Sequence, residues 1–68
     1  MFKLDMRKFD LARAAKCYTK TQTAEKAGIS FSTFQKIQNR QNRLTARTLG
    51  RLAKALGVKP VELIQDEN

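Results

Sequence analysis

The sequence predicts an all-α fold of five helices, on three observations. Side chains suited to capping stand before runs of helix-forming residues, at Asp5, Thr19, Ser30 and Thr45. Glycines stand where two of those runs stop, at Gly28 and Gly57. Apolar residues recur at helical spacing, most regularly Leu49, Leu52, Ala53 and Leu56.

Helix one is expected to start after Asp5 and run to about Lys16, with Phe9, Ala12 and Ala15 inward and Phe2 and Leu4 extended against the core. Thr19 opens helix two, roughly 20–27, because its hydroxyl can accept from the Gln22 amide while Gln22 reaches back, a capping box. Tyr18 fits as core just before it. Gly28 supplies a left-handed exit, and Ser30 caps helix three, roughly 31–38, which turns Phe34 and Ile37 inward. The Gly28-Ile29-Ser30 turn is so short that helices two and three must cross steeply. Small Ala24 and Ala27 let their axes approach, and Ile29 fills the corner, which is the geometry of a helix-turn-helix. A polar and basic loop runs from Asn39 to Leu44, and Thr45 caps helix four, which ends at Gly57. Pro60 then takes a favourable first position for helix five. Residues 1–68 read as one domain, with no repeat, low-complexity stretch or linker.

At 68 residues the chain can bury only about 60% of the surface that its unfolded form exposes. It has one cysteine and no zinc-ligand spacing, so helix packing must hold it without a disulfide or metal, and no cofactor is expected. The lone Cys17 fits a reducing compartment. No signal peptide and no membrane span are expected, which points to the cytoplasm of a bacterium or a phage host. The formal charge is +8, and its distribution says more than its sum. Between Glu25 and Glu62 there is no acid, only Lys26, Lys36, Arg40, Arg43, Arg47, Arg51, Lys54 and Lys59. Glu62, Asp66 and Glu67 make an acidic end that should face away from a polyanion. Charge alone does not separate DNA from RNA, from an acidic protein, or from a generally basic and soluble domain.

The stretch from Tyr18 to Ile37, YTKTQTAEKAGISFSTFQKI, resembles the helix-turn-helix of the Cro/phage-repressor type, an XRE-like family of small bacterial and phage transcription regulators. Thr45-Ala46-Arg47-Thr48-Leu49 and Leu52-Ala53-Lys54-Ala55-Leu56-Gly57-Val58 are similar to the family's fourth helix and its exit. Pro60-Val61-Glu62-Leu63-Ile64 is similar to its short fifth helix. The resemblance covers nearly the whole chain and implies a compact five-helix repressor-like domain that binds double-stranded DNA.

In that pose the recognition helix brings Phe31, Ser32, Thr33, Gln35 and Lys36 toward base edges. Ser32, Gln35 and Lys36 share one helix face. Gln35 can pair with adenine, Lys36 with guanine and Ser32 with either kind of base. Phe31 has two readings, packing on thymine methyl groups or folding back over its own helix. Phosphate contacts are expected from Thr19 and Lys20 at the start of helix two, with its amide dipoles, and from Asn39, Arg40 and Arg43 after helix three. For all these polar positions the plain alternative is a solvated surface.

Three positions depart from the family pattern. Gln38 stands where relatives commonly hold a Glu that pairs with helix one, so a hydrogen bond from Arg13 to Gln38 is expected in its place. Arg40 follows Asn39 where a Gly is common, so Asn39 takes the left-handed role or the loop is shaped differently. Cys17 also stands at a common Gly position; neither an electropositive pocket nor a second thiol supports a redox switch there.

The leading expectation is a sequence-specific transcriptional regulator, a repressor or control protein acting by occupying DNA, as a homodimer on an inverted repeat. Leu44, Val58 and Val61 are the candidate interface residues; the alternative is that Val58 is core and the chain is a monomer. No small-molecule effector site is evident. A second expectation is a protein-interaction module, antitoxin-like or adaptor, built on the same fold. An enzyme is disfavoured, because the chain has no His, one Cys and no acids at catalytic spacing.

Overall fold

The computed structural model describes residues 1–65. Its elements in chain order are strand β1 (Phe2–Lys3), helices α1 (Met6–Lys16), α2 (Lys20–Lys26) and α3 (Phe31–Asn39), strand β2 (Arg43–Leu44), helix α4 (Ala46–Leu56) and a 3-10 helix, Pro60–Leu63. Each α-helix starts one residue after its expected cap, and the reason is visible in the hydrogen bonds. The Asp5 carboxylate accepts from the amides of Arg7 and Lys8, Thr19 Oγ1 from Gln22, Ser30 Oγ from Thr33 and Thr45 Oγ1 from Thr48. Gln22 Oε1 also accepts from the Thr19 amide at 2.8 Å, completing the capping box.

The core gathers buried apolar residues from every helix and from β2. Phe9 of α1 meets Phe34 of α3 with ring centroids 5.6 Å apart. Leu49, Leu52, Ala53 and Leu56 of α4, Ile37 of α3 and Leu63 of the 3-10 helix close around them, all buried. Tyr18, Ala12 and Val58 pack on the edge of this cluster. Thr23 is buried as well, and its hydroxyl is satisfied by donating to the Thr19 carbonyl at 2.9 Å.

The fold departs from five α-helices in two places. The fifth element is a 3-10 helix, because only four residues separate Lys59 from a chain that must be extended again at Ile64. Its turn is closed by the Glu62 amide donating to the Lys59 carbonyl at 2.9 Å. The second departure is a two-stranded antiparallel sheet, with Phe2 opposite Leu44 and Lys3 opposite Arg43. The N-terminal segment is also tied on its other side, where Leu4 bridges Ile64, the Asp5 amide donates to the Leu63 carbonyl and the Gln65 amide to the Lys3 carbonyl. Leu4 is therefore fully buried, as expected, whereas Phe2 stays 41% exposed.

Three local expectations are corrected, and one choice between alternatives is decided. Ala15 is exposed, since six residues carry it about 120° round the helix from Phe9. Arg13 does not bond Gln38: its guanidinium donates to the Tyr18 carbonyl and to Asp10 Oδ1, both at 2.8 Å, and lies 5.8 Å from the Phe9 ring centre. The chain's turn at Cys17 aims the Tyr18 carbonyl at that guanidinium. Of the two alternatives for the loop after α3 the second holds: neither Asn39 nor Arg40 is left-handed, and the loop is shaped by Gln41 and Asn42, which are, with φ of 59° and 63°. Leu44, offered as an interface residue, is 2% exposed and belongs to the chain's own core. Asp66 and Glu67 of the acidic end lie outside the described residues.

Candidate nucleic-acid interface

The turn between α2 and α3 is built from backbone bonds that need a left-handed residue. The Gly28 amide donates to the Glu25 carbonyl at 3.0 Å and the Ile29 amide to Ala24 at 2.9 Å, with Gly28 at φ 73°. Ile29 and Ala27 are buried in the angle between the helices, as their sizes require. This fixes where α3 begins and which way it faces.

Only Phe34 and Ile37 of α3 are buried. Ser32, Gln35, Lys36 and Asn39 are exposed, and Phe31 is 47% exposed at the helix start. Thr33 is exposed too, but its hydroxyl accepts from Ser30 Oγ at 2.8 Å, so it is engaged in the cap. Ser32 Oγ likewise lies 3.3 Å from Ser30 Oγ, so among the candidate base readers the polar side chains wholly free to meet another molecule are Gln35 and Lys36, together with the face of Phe31.

On either side of α3 lie the residues expected to hold phosphates. Thr19 and Lys20 are exposed at the start of α2. On the other side Asn39, Arg40 and Arg43 are brought together with Met1 and Gln41 around an open hollow of about 430 Å³. The two left-handed residues make this hollow: the Asn42 amide turns back to the Ile37 carbonyl at 2.9 Å, so Arg40 and Arg43 flank one short reversal. Arg40 Nε donates to the Lys36 carbonyl at 3.4 Å, which leans its side chain along the end of α3. The part of Met1 and Gln41 was not expected. For Gln41 the available signal was Asn42, a residue type that tolerates left-handed backbone; for Met1 there was none, since its place depends on pairing with a strand about forty residues away.

Among the described residues no helix is long and apolar enough to cross a membrane. No curated protein and no solved structure matches the chain. A family model described as Helix-turn-helix matches residues 11–63, from the middle of α1 to the end of the 3-10 helix. With that match over most of its length, and with the capped, glycine-turned pair α2 and α3 at its centre, the chain belongs to the helix-turn-helix family of the Cro/repressor type.

Proposed function

We propose that the chain is a sequence-specific double-stranded DNA-binding regulator that acts as a transcriptional repressor by occupying its site. The observation that carries this reading is α3, which is anchored by Phe34 and Ile37 while Ser32, Gln35 and Lys36 stand exposed beside Phe31. A helix held on one side and polar on the other is suited to lie in the major groove, with those residues at base edges. Lys20 and Thr19 on one flank, and Asn39, Arg40 and Arg43 on the other, then hold the backbone and set the register without reading sequence. The unbroken run of bases between Glu25 and Glu62 supplies the long-range attraction.

The reading includes a homodimer on an inverted repeat, with half-sites about one helical turn apart. With Leu44 committed to the core, the apolar contribution to that contact comes from Val61, which is 61% exposed on the 3-10 helix.

The test is fluorescence anisotropy on labelled DNA from upstream of the chain's own gene and on scrambled DNA, across a salt series. Binding at least about a thousandfold tighter to the native sequence establishes a specific regulator. Equal and steeply salt-dependent binding to both means that only the basic surface is engaged. Retention of a single partner protein with no DNA shift favours the interaction module instead.

A further inference from the structure

Strand β1 carries a cation that faces the phosphate-holding loop across the sheet. In the register of the two strands Lys3 stands directly opposite Arg43. Such partners have Cα atoms about 4.5–5.5 Å apart and side chains on the same face. The face follows from the alternation along β1: Leu4 is buried and Phe2 opposes the buried Leu44, so Met1 and Lys3 point to the outer side with Arg43. Met1 lines the same hollow as Arg40 and Arg43, which places the outer face of β1 beside that hollow.

Two like charges directly opposite each other weaken a strand pair. Among the described residues no carboxylate is paired with Lys3, Arg40 or Arg43 to relieve this. The strand is nevertheless fixed on both sides, by β2 and by the bridge from Leu4 to Ile64, so the base of Lys3 is held in place before any ligand arrives. An anion set between the two side chains turns their repulsion into a two-sided grip.

We propose that β1 is part of the DNA-binding surface and that Lys3 and Arg43 together hold one backbone phosphate. This rests on the DNA-binding reading above and adds to it a strand outside the helix-turn-helix.

The experiment measures anisotropy of the parent chain, Lys3→Ala, Arg43→Ala and the double variant on a fluorescein-labelled, mixed-sequence DNA duplex about two helical turns long, across salt. Thermal melts are recorded without DNA. Lys3→Ala should bind roughly five- to tenfold more weakly near 0.1 M salt, with the salt slope reduced by about one. It should melt no lower than the parent, because the repulsion has been removed. The double variant should lose less than the two single losses combined, since both residues grip one phosphate. Parent-like affinity and slope for Lys3→Ala, with Arg43→Ala weakened, overturns the shared grip and leaves the DNA reading standing. So does a Lys3→Ala chain that binds weakly only because it has lost stability. A parent chain that binds no duplex overturns both.

Discussion

Helices α3 and α4 are both started by a hydroxyl that caps the amide three residues on, Ser30 for Thr33 and Thr45 for Thr48, and in both pairs the two hydroxyls also bond to each other. Beyond the first turn they diverge. Four of the eleven residues of α4 are buried, and its basic residues Arg47, Arg51 and Lys54 stand on the opposite side. Only two of the nine residues of α3 are buried. Packing therefore accounts for α4 almost completely, whereas most of α3 is left to its cap, its turn and whatever it meets outside the chain. The difference separates residues kept for stability from residues free to serve recognition, and it can be tested by perturbing the two helices in parallel.

The largest effect is expected from α4. Leu52 is fully buried, so Leu52→Ala should cost about 2–5 kcal/mol from lost transfer energy and an unfilled cavity. In a chain of this size that corresponds to a drop in melting temperature of more than about 10 °C. DNA binding should fall only in proportion to the unfolded fraction. On α3 the pattern should invert. Gln35→Ala and Lys36→Ala remove exposed groups, so stability should stay within about 0.5 kcal/mol of the parent. On the cognate site each should cost roughly 1–3 kcal/mol, and preference at one base pair should relax. Lys20→Ala should instead weaken every sequence alike and lower the salt slope by about one. Equal behaviour of Gln35→Ala and Lys20→Ala on cognate and scrambled DNA would remove the distinction between base readers and backbone anchors.

The caps permit a finer comparison at matched stability. Ser30→Ala and Thr45→Ala should each cost about 1 kcal/mol, read from chemical denaturation. The consequences for binding should differ. In both helices the first buried residue is the fourth, Leu49 in α4 and Phe34 in α3, but behind it α4 adds three more buried residues and α3 only Ile37. Ser30→Ala should therefore also slow or weaken DNA binding beyond its stability cost, and Thr45→Ala should not. A binding loss from Thr45→Ala equal to that from Ser30→Ala would show that α3 is held as firmly as α4.

The parts of this fold that could be read from the sequence are those decided within a few residues. Caps at Asp5, Thr19, Ser30 and Thr45 and the exits at Gly28 and Gly57 are local chemistry; all four α-helices begin where that chemistry places them, and α2 and α4 also end there. What escaped depends on partners distant in the chain. A two-residue strand has no periodicity of its own, so the pairing of Phe2–Lys3 with Arg43–Leu44 carries no sequence signal. Pro60 suits the start of either kind of helix, and the choice of a 3-10 turn came from Ile64 having to bridge Leu4. Arg13 was matched to Gln38 by resemblance to a family ion pair, but a backbone carbonyl and Asp10, only three residues back on its own helix, take its guanidinium. In the candidate interface the exposure of Ser32, Gln35 and Lys36 follows from helix periodicity around Phe34 and Ile37. The hollow by Arg40 and Arg43 does not, because it is shaped by left-handed Gln41 and Asn42 and by the strand opposite.

The smallest expected effect concerns the other ends of two helices. α1 and α4 leave by the same device. The Cys17 and Tyr18 amides bond back to Ala14 and Arg13, and the Gly57 and Val58 amides to Lys54 and Ala53. Both exit residues are left-handed, Cys17 at φ 59° and Gly57 at φ 68°. At Gly57 the left-handed backbone carries no Cβ, and one placed there would reach the end of the Lys16 side chain in ordinary contact at 3.4 Å, which shows that the two exits are neighbours. At Cys17 a Cβ is carried in the same backbone conformation, at a cost of about 1–2 kcal/mol, and the thiol is exposed, so no packing offsets that strain. Glycine would relieve it but would loosen the unfolded chain by about 0.4–1 kcal/mol. The balance makes Cys17→Gly stabilising by about 0.5–1 kcal/mol, seen as a higher denaturant midpoint at unchanged slope. Gly57→Ala should move the midpoint the opposite way, because it places a side chain in the same left-handed backbone. A Cys17→Gly chain no more stable than the parent would mean that the α1 exit accommodates its side chain without strain, and that the two exits share hydrogen bonds but not the same demand for glycine.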